Sequence, residues 1–217
     1  MRACARFTVV TLGAALAVAG CSQPSTQSSG TPYTFDAQHA AVRVDTSELR
    51  RQKAEAGIDP CPKSATDVAV VDSGLPDLTL PCLGGGRDVR LAGLRGTPMV
   101  LNLWAYTCGP CRAEAPLFQR LHEAAGNELA VIGVDWQDSR PGDAIAFAAE
   151  LNLRYPQLAD PSAATRAPLY VSALPMTLFV DAEGAIVHVE YGALPSARVL
   201  AGLVDTHLGV GVDMGAS

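Results

Sequence analysis

Cys108-Gly109-Pro110-Cys111 holds the two side chains of this sequence best spaced to react with each other. Two cysteines separated by two residues can close a disulfide, and on a helix they stand one turn apart. The thiolate is the nucleophile, and a helix N-terminus stabilises it through unpaired N–H groups and the helix dipole. Ahead of the pair, Met99 to Ala105 is a mostly apolar run of buried-strand type. After it, Ala113, Leu117 and Leu121 recur at four-residue spacing, which predicts a helix through Ala125. Cys108 then falls at a strand-to-helix junction, exposed and at the cap, with Cys111 one turn inside. Pro110 is tolerated in a first turn, where its missing N–H would be unpaired anyway. In that geometry Cys108 attacks a disulfide and Cys111 resolves the mixed disulfide. An inert surface bridge is the plain alternative. Zinc is a weaker one, because a second C-x-x-C or a histidine at ligand spacing is wanting, and neither a metal nor another cofactor is expected.

Six cysteines occur in all. Cys4 lies in a basic-then-apolar leader, Arg2 and Arg6 followed by the uncharged run Phe7 to Gly20, with the layout of a secretory signal. The leader ends Val18-Ala19-Gly20-Cys21, which resembles a bacterial lipobox and implies a lipidated Cys21 as first mature residue. Ser22 to Pro32 is a polar tract that cannot bury apolar surface and suits a tether. Four cysteines remain, which allows three pairings. If Cys108 pairs with Cys111, Cys61 and Cys82 are left for a second bridge, plausible in an oxidising compartment and structural rather than catalytic.

The expected segments are a signal peptide over 1–20, a lipidated cysteine and tether over 21–44, a short helix and extended lead-in over 45–74, one domain over 75–210, and a tail over 211–217. Asp45 reads as a helix cap with Glu48 reaching back to it, and Gly57 as the stop. Residues 77–80 and 88–91 predict two short strands joined through Gly84-Gly85-Gly86. Leu129 to Asp135 is a second buried strand, parallel to the first because a helix connects them. A helix from Asp138 to Leu151, an extended piece at 155–160 and a weaker helix from Ala163 to Val171 follow. Met176 to Asp181 and Ala185 to Glu190 read as a hairpin, and Pro195 to Leu208 as a closing helix. The fold class is α/β, a mixed central sheet with helices on both faces.

Composition narrows the classes further. The 217 residues are 48% apolar and 18% charged, a globular composition for one domain with extras. The net charge is -6, and the one basic cluster is Arg50-Arg51-Gln52-Lys53, which argues against a nucleic-acid partner. Loss of 1–20 removes Arg2 and Arg6 and no acid, leaving 14 basic against 22 acidic residues and a charge of -8. A polybasic second anchor is therefore not expected. No apolar run reaches the length of about 18 residues that a membrane span requires.

Trp104-Ala105-Tyr106-Thr107-Cys108-Gly109-Pro110-Cys111, within the β-α-β then β-β-α order, resembles the thioredoxin superfamily over residues 75–208. The leading hairpin, the helical insert near 139–171 and Cys111-Arg112-Ala113-Glu114-Ala115-Pro116 resemble its extracytoplasmic TlpA/ResA-like branch. Asn102 stands where that branch usually has Asn and cytoplasmic members carry a buried Asp. The resemblance implies a cis proline at Pro175, with Leu174 offering backbone hydrogen bonds to substrate, and a role for Glu114 in proton transfer at the cysteines. Trp104, Gly109 and Pro110 would support the site. Two departures bear on substrate preference and direction: Thr107 replaces the usual Trp, and Gly109-Pro110 replaces the frequent Glu-Pro. The implied partners are exported proteins with thiols or disulfides, a membrane-embedded thiol reductase as electron donor, and the membrane through the lipid, for a monomer. Reduction of exported disulfides, as for apocytochrome c before haem attachment, is the expected direction, and disulfide formation the alternative. A thiol peroxidase of the P-x-x-x-T-x-x-C type would need Pro at 101 and Thr at 105, where Leu101 and Ala105 stand. A non-enzymatic lipoprotein keeping the fold is a third reading. His39, His122, His188 and His207 are scattered singly and read as surface or packing residues, as does Trp136.

Overall fold

The most apolar runs of the chain become the middle of one sheet. The computed structural model describes residues 42–215. In it β3 (Met99–Trp104), buried along its whole length, pairs in parallel with β4 (Ala130–Trp136) and antiparallel with β6 (Met176–Val180). β5 (Gln157–Asp160) adds in parallel outside β4, and β7 (Ile186–Tyr191) closes the other edge antiparallel to β6. The order is β5-β4-β3-β6-β7. Strands covered on both faces need apolar side chains in both orientations, which is why β3, β4 and β6 are near-continuous apolar runs. The edge strand β7 is half-exposed instead. The extended piece expected at 155–160 is thus a sheet strand, so the insert between the second and third core strands is helix plus strand.

The two-residue period of β3 sends Val100, Asn102 and Trp104 to one face and Met99, Leu101 and Leu103 to the other. Against the first face pack α1 (Ser47–Ala56), α2 (Gly109–Ala125), α3 (Pro141–Glu150) and α4 (Ala197–Leu208), through Leu49, Phe118, Phe147 and Leu200 among others. The second face is covered differently. Leu80 of β1 (Thr79–Leu80), Val89 of β2 (Val89–Arg90), the 3-10 turn Leu91–Gly93 and the pair Leu169 and Val171 lie over it. The helix expected over 163–171, which would have covered that face, is a stack of turns. Pro168 has no N–H for a helical bond to Ala164, and Ala163 and Tyr170 take left-handed φ of 54°.

At α1 the cap is Thr46, whose Oγ1 accepts from Leu49 N at 3.2 Å, and not Asp45. Asp45 is drawn instead to Arg50, whose Nε donates at 2.5 Å, and Glu48 accepts from Arg51 and Gln52 rather than reaching back. Gly57 ends the helix at φ 68°, as expected. The segment before β2 covers the β5 edge: Ala159 N donates to Pro81 O and Leu83 N to Gln157 O, each at 2.9 Å. A disulfide joins Cys61 to Cys82 there. The leader, Cys21 and the tether up to residue 41 lie outside the described residues. Among the described residues no helix is long and apolar enough to cross a membrane.

Candidate active site

β3 ends at Trp104, the chain turns through Ala105 to Thr107, and Cys108 N donates to Ala105 O at 3.0 Å. Cys108 keeps an extended backbone and caps α2, its Sγ accepting from Cys111 N at 3.2 Å. Its helical neighbours supply N–H groups that favour a thiolate at this sulfur. A disulfide joins Cys108 to Cys111. Cys108 is half-buried, Thr107, Gly109 and Pro110 are exposed, and Cys111 is 1% exposed. A partner disulfide or thiol therefore meets Cys108 first, with Cys111 held behind it.

Glu114 follows Cys111 by one turn of α2 and is as deeply buried, 1% exposed. Its two oxygens are both bonded: Asn102 Nδ2 donates to Oε1 at 2.9 Å and Leu194 N to Oε2 at 2.8 Å. Asn102 Nδ2 also reaches Thr177 Oγ1 at 3.3 Å, so β3 and the loop before α4 hold the carboxyl, and β6 holds the amide that bonds it. Burial pushes the Glu114 pKa up to about 7, and the hydrogen bonds from Leu194 and Asn102 only partly oppose it. Near neutral pH such a group can take or give a proton.

Trp104 is buried below the loop, its indole Nε1 donating to Gln157 Oε1 at 2.9 Å and its ring stacked on Phe147 at 4.7 Å. The Gln157 amide in turn donates to Tyr155 O at 3.1 Å. Gly133 of β4 makes room for this pair, since a Cβ there would lie 1.8 Å from Gln157 Oε1. Gln157 and Gly133 were not singled out from the sequence. A polar glutamine in the short extended piece at 155–160, and a glycine inside an apolar run, were the available signals.

The Leu174-Pro175 peptide is cis, Pro175 is buried at the head of β6, and Leu174 packs on the same core as Cys108 and Cys111. Tyr106, two residues before Cys108, accepts from Arg140 Nε at 3.0 Å, and the Arg140 guanidinium lies 5.5 Å from its ring centre. Arg140 N donates to Asp138, at 2.7 Å. Asp135, at the end of β4 beside Trp104, and Asp138 are a second group the sequence reading passed over. Burial raises both carboxyls, Asp135 well above the usual range, and Asp138 adds to the effect on Asp135.

The structure thus sets Trp104, Cys108, Cys111 and Leu174 in or against the core of the helix-covered face, with Glu114 one turn along α2 from Cys111. Cys61 and Cys82 belong to the core of the other face. Among the described histidines, His122 faces Asp59 at 3.2 Å, and His188 and His207 stack on each other with ring centres 3.9 Å apart. Trp136 is buried at the end of β4 with Arg166 over its ring at 4.4 Å.

The chain is 31% identical over 121 residues to the thioredoxin-like protein YneN of Bacillus subtilis, covering 55% of this chain and 70% of that one. It is 33% identical over 140 residues to the thiol:disulfide interchange protein DsbE of Allochromatium vinosum, covering 63% and 74%. Among solved structures, a DsbF homologue of Corynebacterium diphtheriae superposes with a TM-score of 0.56 at 25% identity, over 69% of this chain and 99% of that one. Residues 71–189, from before β1 into β7, match the AhpC/TSA family. With a cysteine pair at the cap of α2 on a sheet of this order, the chain belongs to the AhpC/TSA family, as a thiol-disulfide oxidoreductase of thioredoxin-like fold.

Proposed function

We propose that the protein is a lipid-anchored reductant on the extracytoplasmic face of the cell membrane, opening disulfides of exported proteins such as apocytochrome c. The observation that carries the direction is the dipeptide Gly109-Pro110 between the two cysteines, as in reducing thioredoxins. Glu114, buried one turn behind Cys111 with its pKa near 7, would serve the proton transfer that exchange needs. A reductant must keep Cys108 as thiolate and, once the mixed disulfide forms, take the proton from Cys111 so that it can attack. Cys108 Sγ gives its electron pair to a substrate sulfur, the substrate disulfide breaks, and the Cys111 thiolate then displaces the substrate from Cys108. The product is the Cys108–Cys111 disulfide, which a membrane-embedded thiol reductase would reduce again. Val18-Ala19-Gly20-Cys21 and the polar tract after it support the anchor.

The reduction potential of the Cys108/Cys111 couple tests the direction. A value near about -270 mV supports a reductant, and one near about -120 mV supports disulfide formation instead. Cys111→Ser should accumulate mixed disulfides with exported proteins through Cys108, visible on non-reducing gels. Cys21→Ser should move the protein from the membrane fraction to the soluble one; unchanged fractionation would refute the anchor.

A further inference from the structure

Lys53 of α1 is a buried cation, 8% exposed, and among the described residues no carboxylate comes within ion-pair distance of it. Its Nζ donates to Gly85 O at 3.1 Å and approaches Cys82 Sγ at 2.8 Å. An ammonium has three protons to place, and a disulfide sulfur is a weak acceptor, so this burial is poorly compensated while the Cys61–Cys82 bond is closed. Burial accordingly lowers the Lys53 pKa. If Cys82 were a thiolate, the same contact would be a buried ion pair. The other sulfur shows the complementary mismatch. Cys61 Sγ lies 3.3 Å from Gln157 O, an acceptor that a disulfide sulfur cannot use and a thiol can. Each sulfur therefore has one polar neighbour suited to the open form, a thiol at Cys61 and a thiolate at Cys82.

A cavity of about 510 Å³ reaches Cys61, lined also by Lys53, Arg50, Arg87, Asp45 and the glycines 84–86. Its lining carries three cations against one carboxylate, and Cys61, not Cys82, faces it. The glycines shape the wall: a Cβ on Gly84 would lie 2.8 Å from Lys53 Cβ, and one on Gly85 2.4 Å from Asp45 Oδ1. Only a bare backbone lets the Gly85 carbonyl close on Nζ.

We propose that Cys61–Cys82 is a second exchangeable disulfide, opened from this cavity by a small thiol that carries a negative charge. The incoming thiolate bonds to Cys61 Sγ, the Cys61–Cys82 bond breaks, and its electron pair leaves on Cys82 as a thiolate held by Lys53. A second thiolate then displaces the first from Cys61, releasing a small-molecule disulfide and leaving two reduced cysteines. Two electrons pass from the small thiol to the protein, and the chemistry at Cys108 and Cys111 is not involved.

The test uses the full chain carrying Cys108→Ser and Cys111→Ser, equilibrated in glutathione buffers, with the Cys61 and Cys82 peptides quantified by alkylation and mass spectrometry. Reduction of the pair in the folded protein is expected, with Lys53→Met shifting the equilibrium roughly ten- to a hundredfold toward the disulfide, the worth of a hydrogen bond to a charged group. Tenfold corresponds to about 30 mV for two electrons. With Lys53 intact, 2-mercaptoethanesulfonate should open the bond at least several times faster than 2-mercaptoethanol at equal thiolate concentration, and the first adduct should sit on Cys61. A bond that stays closed under excess glutathione in the folded chain would overturn the proposal. So would equal constants with and without Lys53, or equal rates for the charged and neutral thiols.

Discussion

Glu114→Gln should make the stability of the oxidised protein depend on pH in a way that isolates one buried carboxyl. Folding moves this group from its ordinary value of 4.5 to about 7, a rise of about 2.5 pH units. At about 1.36 kcal/mol per unit, that amounts to about 3 kcal/mol. Below about pH 4.5 both folded and unfolded chains hold the proton and the group is neutral in its effect. Between 4.5 and 7 only the folded chain holds it, so stability falls with rising pH, and above about 7 the full amount is lost. Glutamine has no such titration. It does place an N–H against either Asn102 Nδ2 or Leu194 N, both donors, which costs about 1–3 kcal/mol at every pH. Urea denaturation of both proteins from about pH 4 to about pH 8.5 should therefore give a difference that moves by about 3 kcal/mol in favour of the variant as pH rises. Other acids, Asp135 included, titrate in both proteins and cancel. A difference that stays flat across this range would refute the reading of Glu114 as a strained, proton-exchanging group. On the proposed role of Glu114 as base for Cys111, the same variant should also lose thiol exchange rate above about pH 7, where Glu114 is ionised.

Asn102→Asp sets a second carboxyl against Glu114 Oε1 in place of a donor, so the Glu114 titration should move upward, read from the pH profile of exchange or by infrared spectroscopy of the carboxyl. Phe147→Ala removes the ring stacked on Trp104 beneath the reactive loop and should cost about 3–5 kcal/mol by urea denaturation, with a changed Trp104 emission.

Much of the fold was legible because its signals are local. β3, β4, β6 and α2 follow from apolar runs, four-residue spacing and a cysteine at the junction, and these patterns report burial directly. Where two local preferences competed, the reading failed. Asp45 could cap α1 or pair with Arg50, and only the folded geometry let Thr46 take the cap. Residues 163–171 have helical spacing, but Pro168 and two left-handed residues break them into turns that still deliver Leu169 and Val171 to the second face.

The cysteine pair, its place at a helix cap and the neighbouring glutamate were fixed by residue type and spacing alone, because a strand-to-helix junction spans only a few residues. What surrounds those groups was decided by contacts across the chain. The Glu114 pKa is raised to about 7 because the assembled core buries it, with Asn102 and Leu194, distant in sequence, bonded to its two oxygens. Trp104 is seated because Gly133 leaves space for Gln157. Lys53 meets Cys82 across 29 positions, a juxtaposition no periodicity encodes. Burial shifts a pKa, and burial is a property of the assembled core rather than of any single segment.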